Sequence, residues 1–290
     1  MELKQVAERM LQAAGIDQPV SSLTPAGGGC INACYHVYTP STKFFLKVND
    51  ARAYPDMFRC EARGLELINA AVPDFAPIPV AVHVDEKQQY LLLTFCGGGR
   101  PSRTFWQRFA QRMVQLHRTT RQQFGLDHDN YIGSLPQSNR SHDRWTDFYF
   151  HERLLPQVRR AVAQEALPKQ ALNLVEKIYD RLSDFFPDEP PSLVHGDLWS
   201  GNYLVGADGL PVVIDPAIYF GFREMDWAMM DLFGGFDQRM RHSYEELFPL
   251  KPGYMQRRPL CQLYPLLVHA NLFGGHYSAS AYRLLKQYGS

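Results

Sequence analysis

No excess of either charge runs through this chain: 30 Lys and Arg stand against 30 Asp and Glu over 290 residues. Without a basic stripe, no bulk electrostatic term draws it to nucleic acid or to an anionic membrane surface. Long apolar runs are missing too. None approaches the roughly 20 residues that cross a bilayer, and the opening M-E-L-K-Q-V-A-E-R-M reads as a mixed-charge amphipathic helix without a signal-peptide core. Cysteines are few, odd in number and scattered (Cys30, Cys34, Cys60, Cys96, Cys261), which argues against a disulfide framework. Cys30 and Cys34 lack the second pair that a structural zinc site needs. No internal repeat and no low-complexity tail is present. The absences together point to a protein of the reducing cytoplasm, with neither a membrane nor a nucleic acid as partner. Its length allows one large domain or two lobes with separate cores.

What the chain does carry is concentrated in Leu193–Pro216. Apolar Leu193 and Val194 run into His195-Gly196-Asp197, and Asn202 follows five positions after Asp197. A second apolar stretch, Val212-Val213-Ile214, ends in Asp215, with Ala207-Asp208-Gly209 as the hairpin turn before it. An aspartate, an asparagine five residues on, and an aspartate after a hairpin have the spacing of a kinase catalytic loop and its metal-binding partner. Phosphoryl transfer needs a carboxylate for the acceptor hydroxyl and hard oxygen ligands for Mg²⁺ on the ATP phosphates. Asp197 suits the first role, Asn202 and Asp215 the second, with a strand-end cap as the alternative for Asp215. His195 reads as a support for the loop backbone.

Upstream, Leu3, Val6, Ala7, Met10, Leu11 and Ala14 predict a helix that Gly15 closes. A Ser-Ser-Leu-Thr-Pro link leads to the glycine turn Gly27-Gly28-Gly29-Cys30-Ile31-Asn32. A hairpin of Ala33–Tyr38 and Phe44–Val48 follows. Glycines let backbone N–H groups approach phosphates, although a plain flexible turn has the same signature. Lys47 on the returning strand can pair with Glu61, central in a helix predicted over Pro55–Ala70, and such a pair aims the lysine at phosphates. Ordinary surface charges are the alternative for both. Pro77–Val84 and Tyr90–Phe95 read as two further strands. The linker Cys96-Gly97-Gly98-Gly99 then divides the chain into lobes 1–96 and 97–290; in a kinase-like layout the backbone of Phe95, Cys96 and Gly97 would meet an adenine edge, and a plain flexible joint is the equal alternative.

Beyond the linker the pattern turns helical: Thr104–Thr119, Asp143–Ala163, Lys169–Phe186, Tyr244–Phe248, Leu260–Phe273 and Tyr277–Tyr288, with Phe124–Gln137 a polar loop. Asp226 heads another helix, as an N-terminal carboxylate or a brace for the catalytic loop. Arg223 and Glu224 are expected where an acceptor substrate enters.

Several stretches together resemble the fructosamine kinase (ketosamine 3-kinase) family, a branch of the aminoglycoside-phosphotransferase and choline-kinase-like fold. They are G-G-G-C-I-N-A-C-Y, F-L-K-V-N, E-A-R-G-L-E-L-I, F-G-L-D-H-D-N-Y-I-G-S-L-P-Q-S-N, W-T-D-F-Y, H-G-D-L-W-S-G-N, I-D-P-A-I-Y-F-G-F-R-E-M-D-W-A-M and L-F-G-G. H-G-D marks only the broad superfamily; D-L-W-S-G-N, D-N-Y-I-G and R-E-M-D-W-A-M are far more specific. The resemblance implies an α+β, bilobal, protein-kinase-like fold: an N-terminal antiparallel-sheet lobe, a larger mainly helical C-terminal lobe, and ATP in the cleft. It implies phosphorylation of the 3-hydroxyl of a ketosamine, free or on a glycated protein, followed by release of the amine. By match, Asp197 is the base, Asn202 and Asp215 hold Mg²⁺, and Gly28, Gly29, Asn32, Lys47 and Glu61 serve the nucleotide. Trp199 would offer a face to the sugar, or pack against its own lobe. Two departures stand out: Cys30 in the glycine turn, where oxidation would obstruct nucleotide binding, and Phe95 where an acidic residue is usual. The rivals are a kinase for another hydroxylated amine, aminoglycoside- or choline-like, and a non-catalytic nucleotide-binding module.

Overall fold

The computed structural model describes residues 2–27 and 31–290, which form two compact units. The first comprises Met1–Arg108 with Tyr203–Pro216, the second Phe109–Asn202 with Ala217–Ser290.

In the first unit, helix α1 (Leu3–Ala13) forms where the apolar spacing predicts it, and Gly15, at φ +76°, ends it in the left-handed region. An antiparallel sheet follows, built from β1 (Ser22–Ala26), β2 (Ala33–Tyr38), β3 (Lys43–Asp50), β4 (Pro79–Val84) and β5 (Gln88–Thr94) in the order β1-β2-β3-β5-β4. Helix α2 (Met57–Ala71) connects β3 to β4. Strand alternation sorts the side chains. Phe44, Leu46 and Val48 of β3 join Tyr90 and Leu92 of β5 in a core with Val6, Ala7, Met10 and Leu11 of α1. Each fully buried Phe, Leu, Val or Met of this set contributes about 1.5–3 kcal/mol. Lys47, one residue out of phase, is thereby turned to the opposite face, where α2 lies. The sheet thus decides where the lysine goes.

The Ser-Ser-Leu-Thr-Pro link is in fact mostly strand: β1 pairs with β2 from Ser22↔Tyr38 to Ala26↔Cys34. Pro25 is tolerated because β1 is an edge strand. The hairpin of Tyr203–Val205 and Pro211–Val213 belongs to this unit as well. It is bonded there by Val213 N–H to the Phe75 carbonyl (2.8 Å) and Ser102 N–H to the Gly209 carbonyl (3.1 Å).

The second unit is mainly helical. Its core gathers Trp145, Phe148, Tyr149, Phe186 and Phe222 with the long helix Tyr254–Phe273 and the final helix His276–Gly289. Trp145 stacks on Tyr149 at 4.9 Å and on Phe222 at 5.8 Å. The helix expected over Asp143–Ala163 is interrupted by a π-helical stretch, Tyr149–Leu154. The polar loop expected over Phe124–Gln137 contains a small hairpin, Asn130–Ile132 with Leu135–Gln137, turned at Gly133. Among the described residues no helix is long and apolar enough to cross a membrane. An N-terminal antiparallel sheet followed by a larger, mainly helical part is the α+β architecture that the sequence implied.

Candidate active site

The strand Ser192–Val194 pairs antiparallel with Tyr219–Gly221 and delivers the chain into His195-Gly196-Asp197. The turn is tight. Gly196 sits at φ +82°, and a Cβ there would lie 2.2 Å from the Ala217 carbonyl oxygen, so only glycine fits. Asp226, in the first turn of the helix Glu224–Phe233, fixes this turn from below. Its Oδ2 accepts from His195 N–H at 2.8 Å and its Oδ1 from Gly196 N–H at 2.9 Å. His117 adds a contact from Nε2 to Oδ2 at 3.1 Å. A carboxylate can only accept, so Nε2 carries the proton and Nδ1 takes the Tyr244 hydroxyl at 2.7 Å. Burial alone would favour the neutral acid, but the hydrogen bond from His117, with His195 and the Gly196 N–H, holds the pKa of Asp226 below the usual range. Both expected roles hold: Asp226 is a first-turn carboxylate of its helix and the brace of the loop.

Within the loop, His195 Nδ1 accepts from the Asp197 N–H at 3.3 Å, a support for the backbone as expected. Asn202 donates its amide to the Asp197 carbonyl at 2.8 Å and to Asp197 Oδ2 at 2.9 Å. The Asn202 side chain thus orients the carboxylate, and its amide oxygen takes no part in either bond. Trp199 is 40% exposed, its indole folded over Gly201, where a Cβ would lie 2.2 Å away.

The first unit supplies a second cluster. Lys47, only 4% exposed, donates to Glu61 Oε1 and Oε2 at 2.7 and 2.9 Å and to Asp215 Oδ1 at 2.9 Å. Burial alone would discharge the amine, but the carboxylates of Asp215 and Glu61 outweigh it and raise its pKa above the ordinary lysine range. Lys47 is therefore a fixed cation inside the fold. Sequence reading paired it with Glu61 alone; the contact with Asp215, 168 positions away, had no local signal. Asp215 stands at φ +54°, an uncommon conformation for a non-glycine residue that costs about 1–3 kcal/mol and aims a half-exposed carboxylate.

The remaining nucleotide-side residues are partly visible. Gly28 and Gly29, with Cys30, lie outside the described residues. Asn32 accepts from Asn49 of β3 at 3.0 Å, tying the exit of the glycine turn to the strand that carries Lys47. Phe95 receives the Lys43 ammonium 3.7 Å from its ring centroid. Burial pushes the half-buried Cys96 thiol up, and Gly97 takes φ +135°.

Arg223 and Glu224 require correction. The structure places neither where a substrate could meet it. Arg223 is buried, bound to both carboxylate oxygens of Glu189 at 2.8 and 2.9 Å and to the Phe248 and Pro249 carbonyls. Glu224 is fully buried and receives Arg257 Nε at 2.6 Å and Nη2 at 2.5 Å. Paired buried charges of this kind are framework, since removing one partner strands the other at a cost of about 3–5 kcal/mol.

A sheet that buries a lysine between two carboxylates, followed by a braced His-Gly-Asp loop, defines a phosphotransferase of the protein-kinase-like class. Comparison with known proteins agrees. An aminoglycoside phosphotransferase crystallised with ADP and hygromycin B superposes over the whole of both chains with a TM-score of 0.63 at 18% identity, a likeness of fold. Much greater similarity is found elsewhere. A Thermobifida fusca protein assigned as a fructosamine-3-kinase has TM-score 0.87 and 35% identity, covering 98% of each chain. A probable ketoamine kinase of Synechocystis is 38% identical over 97% of this chain and 95% of its own. The chloroplastic protein-ribulosamine 3-kinase of Arabidopsis thaliana is 33% identical over 93% of this chain and 83% of its own. The family profile described as fructosamine kinase matches residues 2–289. The chain belongs to the fructosamine kinase family.

Proposed function

We propose that this protein is an ATP-dependent ketosamine 3-kinase that phosphorylates the 3-hydroxyl of fructosamine- or ribulosamine-type adducts of small amines or of protein lysines. One observation carries the reading: the Asp197 carboxylate, oriented by Asn202 on a braced turn, in a chain that matches the fructosamine kinase family almost end to end. Residues 1–96 would serve the nucleotide, and 97–290 catalysis and the acceptor. The reducing cytoplasm suits the free thiols of Cys34, Cys96 and Cys261.

In this mechanism Lys47, held charged by Glu61 and Asp215, orients phosphate oxygens. The backbone at Phe95, Cys96 and Gly97 receives the adenine edge, and the glycine turn before Asn32 follows the phosphates. Asp197 positions the sugar hydroxyl and accepts its proton late in the transfer. The donor set fits a divalent cation: Asn202 has its amide nitrogen engaged and its oxygen left over, and Asp215 keeps one oxygen away from Lys47. Asn202 and Asp215 would each offer an oxygen ligand to Mg²⁺, which would neutralise charge on the transferring phosphoryl group. Trp199, exposed two residues past Asp197, gives the sugar an apolar face. Once on the sugar, the 3-phosphate leaves far more readily than a hydroxyl, so the adduct decomposes and the amine is freed.

The test is ATP consumption by the purified protein with Mg²⁺, offered ribulose-lysine, fructose-lysine, choline and kanamycin separately. Turnover confined to the two ketosamines is expected. Turnover on choline or kanamycin alone would keep the chemistry and overturn the substrate. ATP binding with no turnover on any would instead favour a non-catalytic module.

A further inference from the structure

From the catalytic loop a row of rings leads outward along the second unit. Trp199 meets Phe233 at 6.5 Å between centroids, Phe233 meets His269 at 4.7 Å, and His269 meets Tyr277 at 4.9 Å and Phe273 at 5.6 Å. The two ends are open, with Trp199 40% and Phe273 64% exposed, and the middle rings are half-buried. Phe233 and Phe273 are each followed by a glycine pair at positive φ, Gly234-Gly235 and Gly274-Gly275, so the chain turns away directly after each ring. Phe233 and His269 lie outside the buried core of the unit. The row is a surface, and it begins at the catalytic loop.

Its chemistry is specific. His269 donates from Nδ1 to the Pro265 carbonyl at 2.8 Å, which leaves Nε2 as a lone-pair acceptor. Burial, with a smaller opposing effect of that bond, keeps the imidazole more readily neutral than usual. A ketosamine carries a secondary amine beside the sugar, protonated near neutral pH, with two N–H donors and a positive charge. Aromatic faces and a neutral imidazole nitrogen recognise such a cation without a carboxylate.

We infer that this row is the subsite for the amine side of the acceptor: the substrate ammonium lies against Phe233 and His269, and its substituent runs out along Tyr277 to Phe273. The subsite rests on the ketosamine reading and extends it to the amine. Phe233 and His269 then set specificity for a charged amine, and Phe273 serves only acceptors with a long amine arm.

The experiment compares a fructosamine of butylamine with its N-acetylated form, which keeps sugar and stem but has no charge. In Phe233→Leu, KM for the charged adduct rises about tenfold with kcat retained, the size of a partly desolvated cation–π contact, while KM for the acetylated adduct stays put. His269→Leu behaves alike. Because Phe273 is exposed, Phe273→Ser folds normally; it raises KM about threefold for an adduct on a peptidyl lysine and leaves a methylamine adduct unchanged. Equal losses on charged and neutral adducts, or no change in any variant, would overturn the subsite even though the unaltered protein turns over ketosamines. An unaltered protein inactive on every ketosamine would overturn the underlying reading, and the subsite with it.

Discussion

Asp197→Asn is expected to lower kcat by about 10²–10⁴-fold, the usual contribution of a positioned general base, with ATP affinity little changed. The substitution is nearly isosteric. Asn202 donates to the Asp197 carbonyl and to Oδ2, and an asparagine at 197 still offers a carbonyl oxygen to that amide. The Asp197 N–H to His195 contact is backbone and survives as well. What disappears is the negative charge and the capacity to take a proton from the sugar hydroxyl. Steady-state kinetics together with nucleotide titration measure both quantities. A variant with more than a third of the original kcat would remove Asp197 from the role of base.

Asp226→Asn should cost nearly as much activity by a different route, and should also cost stability. The carboxylate accepts from His195 N–H, Gly196 N–H and His117 Nε2–H, with no exposure to solvent that could replace any of them. An asparagine supplies one oxygen and turns an NH₂ group toward a donor. At least one buried N–H then loses its charged partner, a cost of about 1.5–3 kcal/mol. The His-Gly-Asp turn shifts with it, and displacement of a catalytic group by 1 Å is worth about 10²-fold in rate. Thermal melting and kcat should therefore fall together. The pH dependence has a definite sign. Because the folded-state pKa of Asp226 is depressed, its contribution is present above the unfolded carboxylate pKa and is lost as pH falls through the lower, folded value. The unaltered protein should thus lose stability on acidification over that window, and Asp226→Asn should flatten the loss. An unchanged melting temperature with unchanged kcat would remove the brace from this account.

Much of this site was legible in the residues because its signals are local. Asp197 and Asn202 share one loop, the hairpin before Asp215 declares itself through Asp208-Gly209, and the strand phase that buries Phe44, Leu46 and Val48 places Lys47 opposite. Contacts over long separations were not legible. Nothing near Arg223 announces Glu189, and nothing near Glu224 announces Arg257, so both charges looked available when each is locked inside the fold. Lys47 finds Asp215 for the same non-local reason. Likewise, only the fold brings His117 onto Asp226, 109 positions away. Short strands were the other weakness. Ser22–Ala26 has no apolar alternation and contains Pro25, and Asn130–Ile132 and Leu135–Gln137 are too short for periodicity, although Gly133-Ser134 did carry a turn signal.

The proposed reaction places phosphate on the third carbon of a ketosamine. Proton–phosphorus correlation spectroscopy on the product formed from ribulose-lysine, ATP and Mg²⁺ tests it most directly. The expected spectrum couples phosphorus to the sugar H3 and then decays as free lysine appears. Phosphorus coupled to the terminal carbon protons, with the amine still attached, would contradict it.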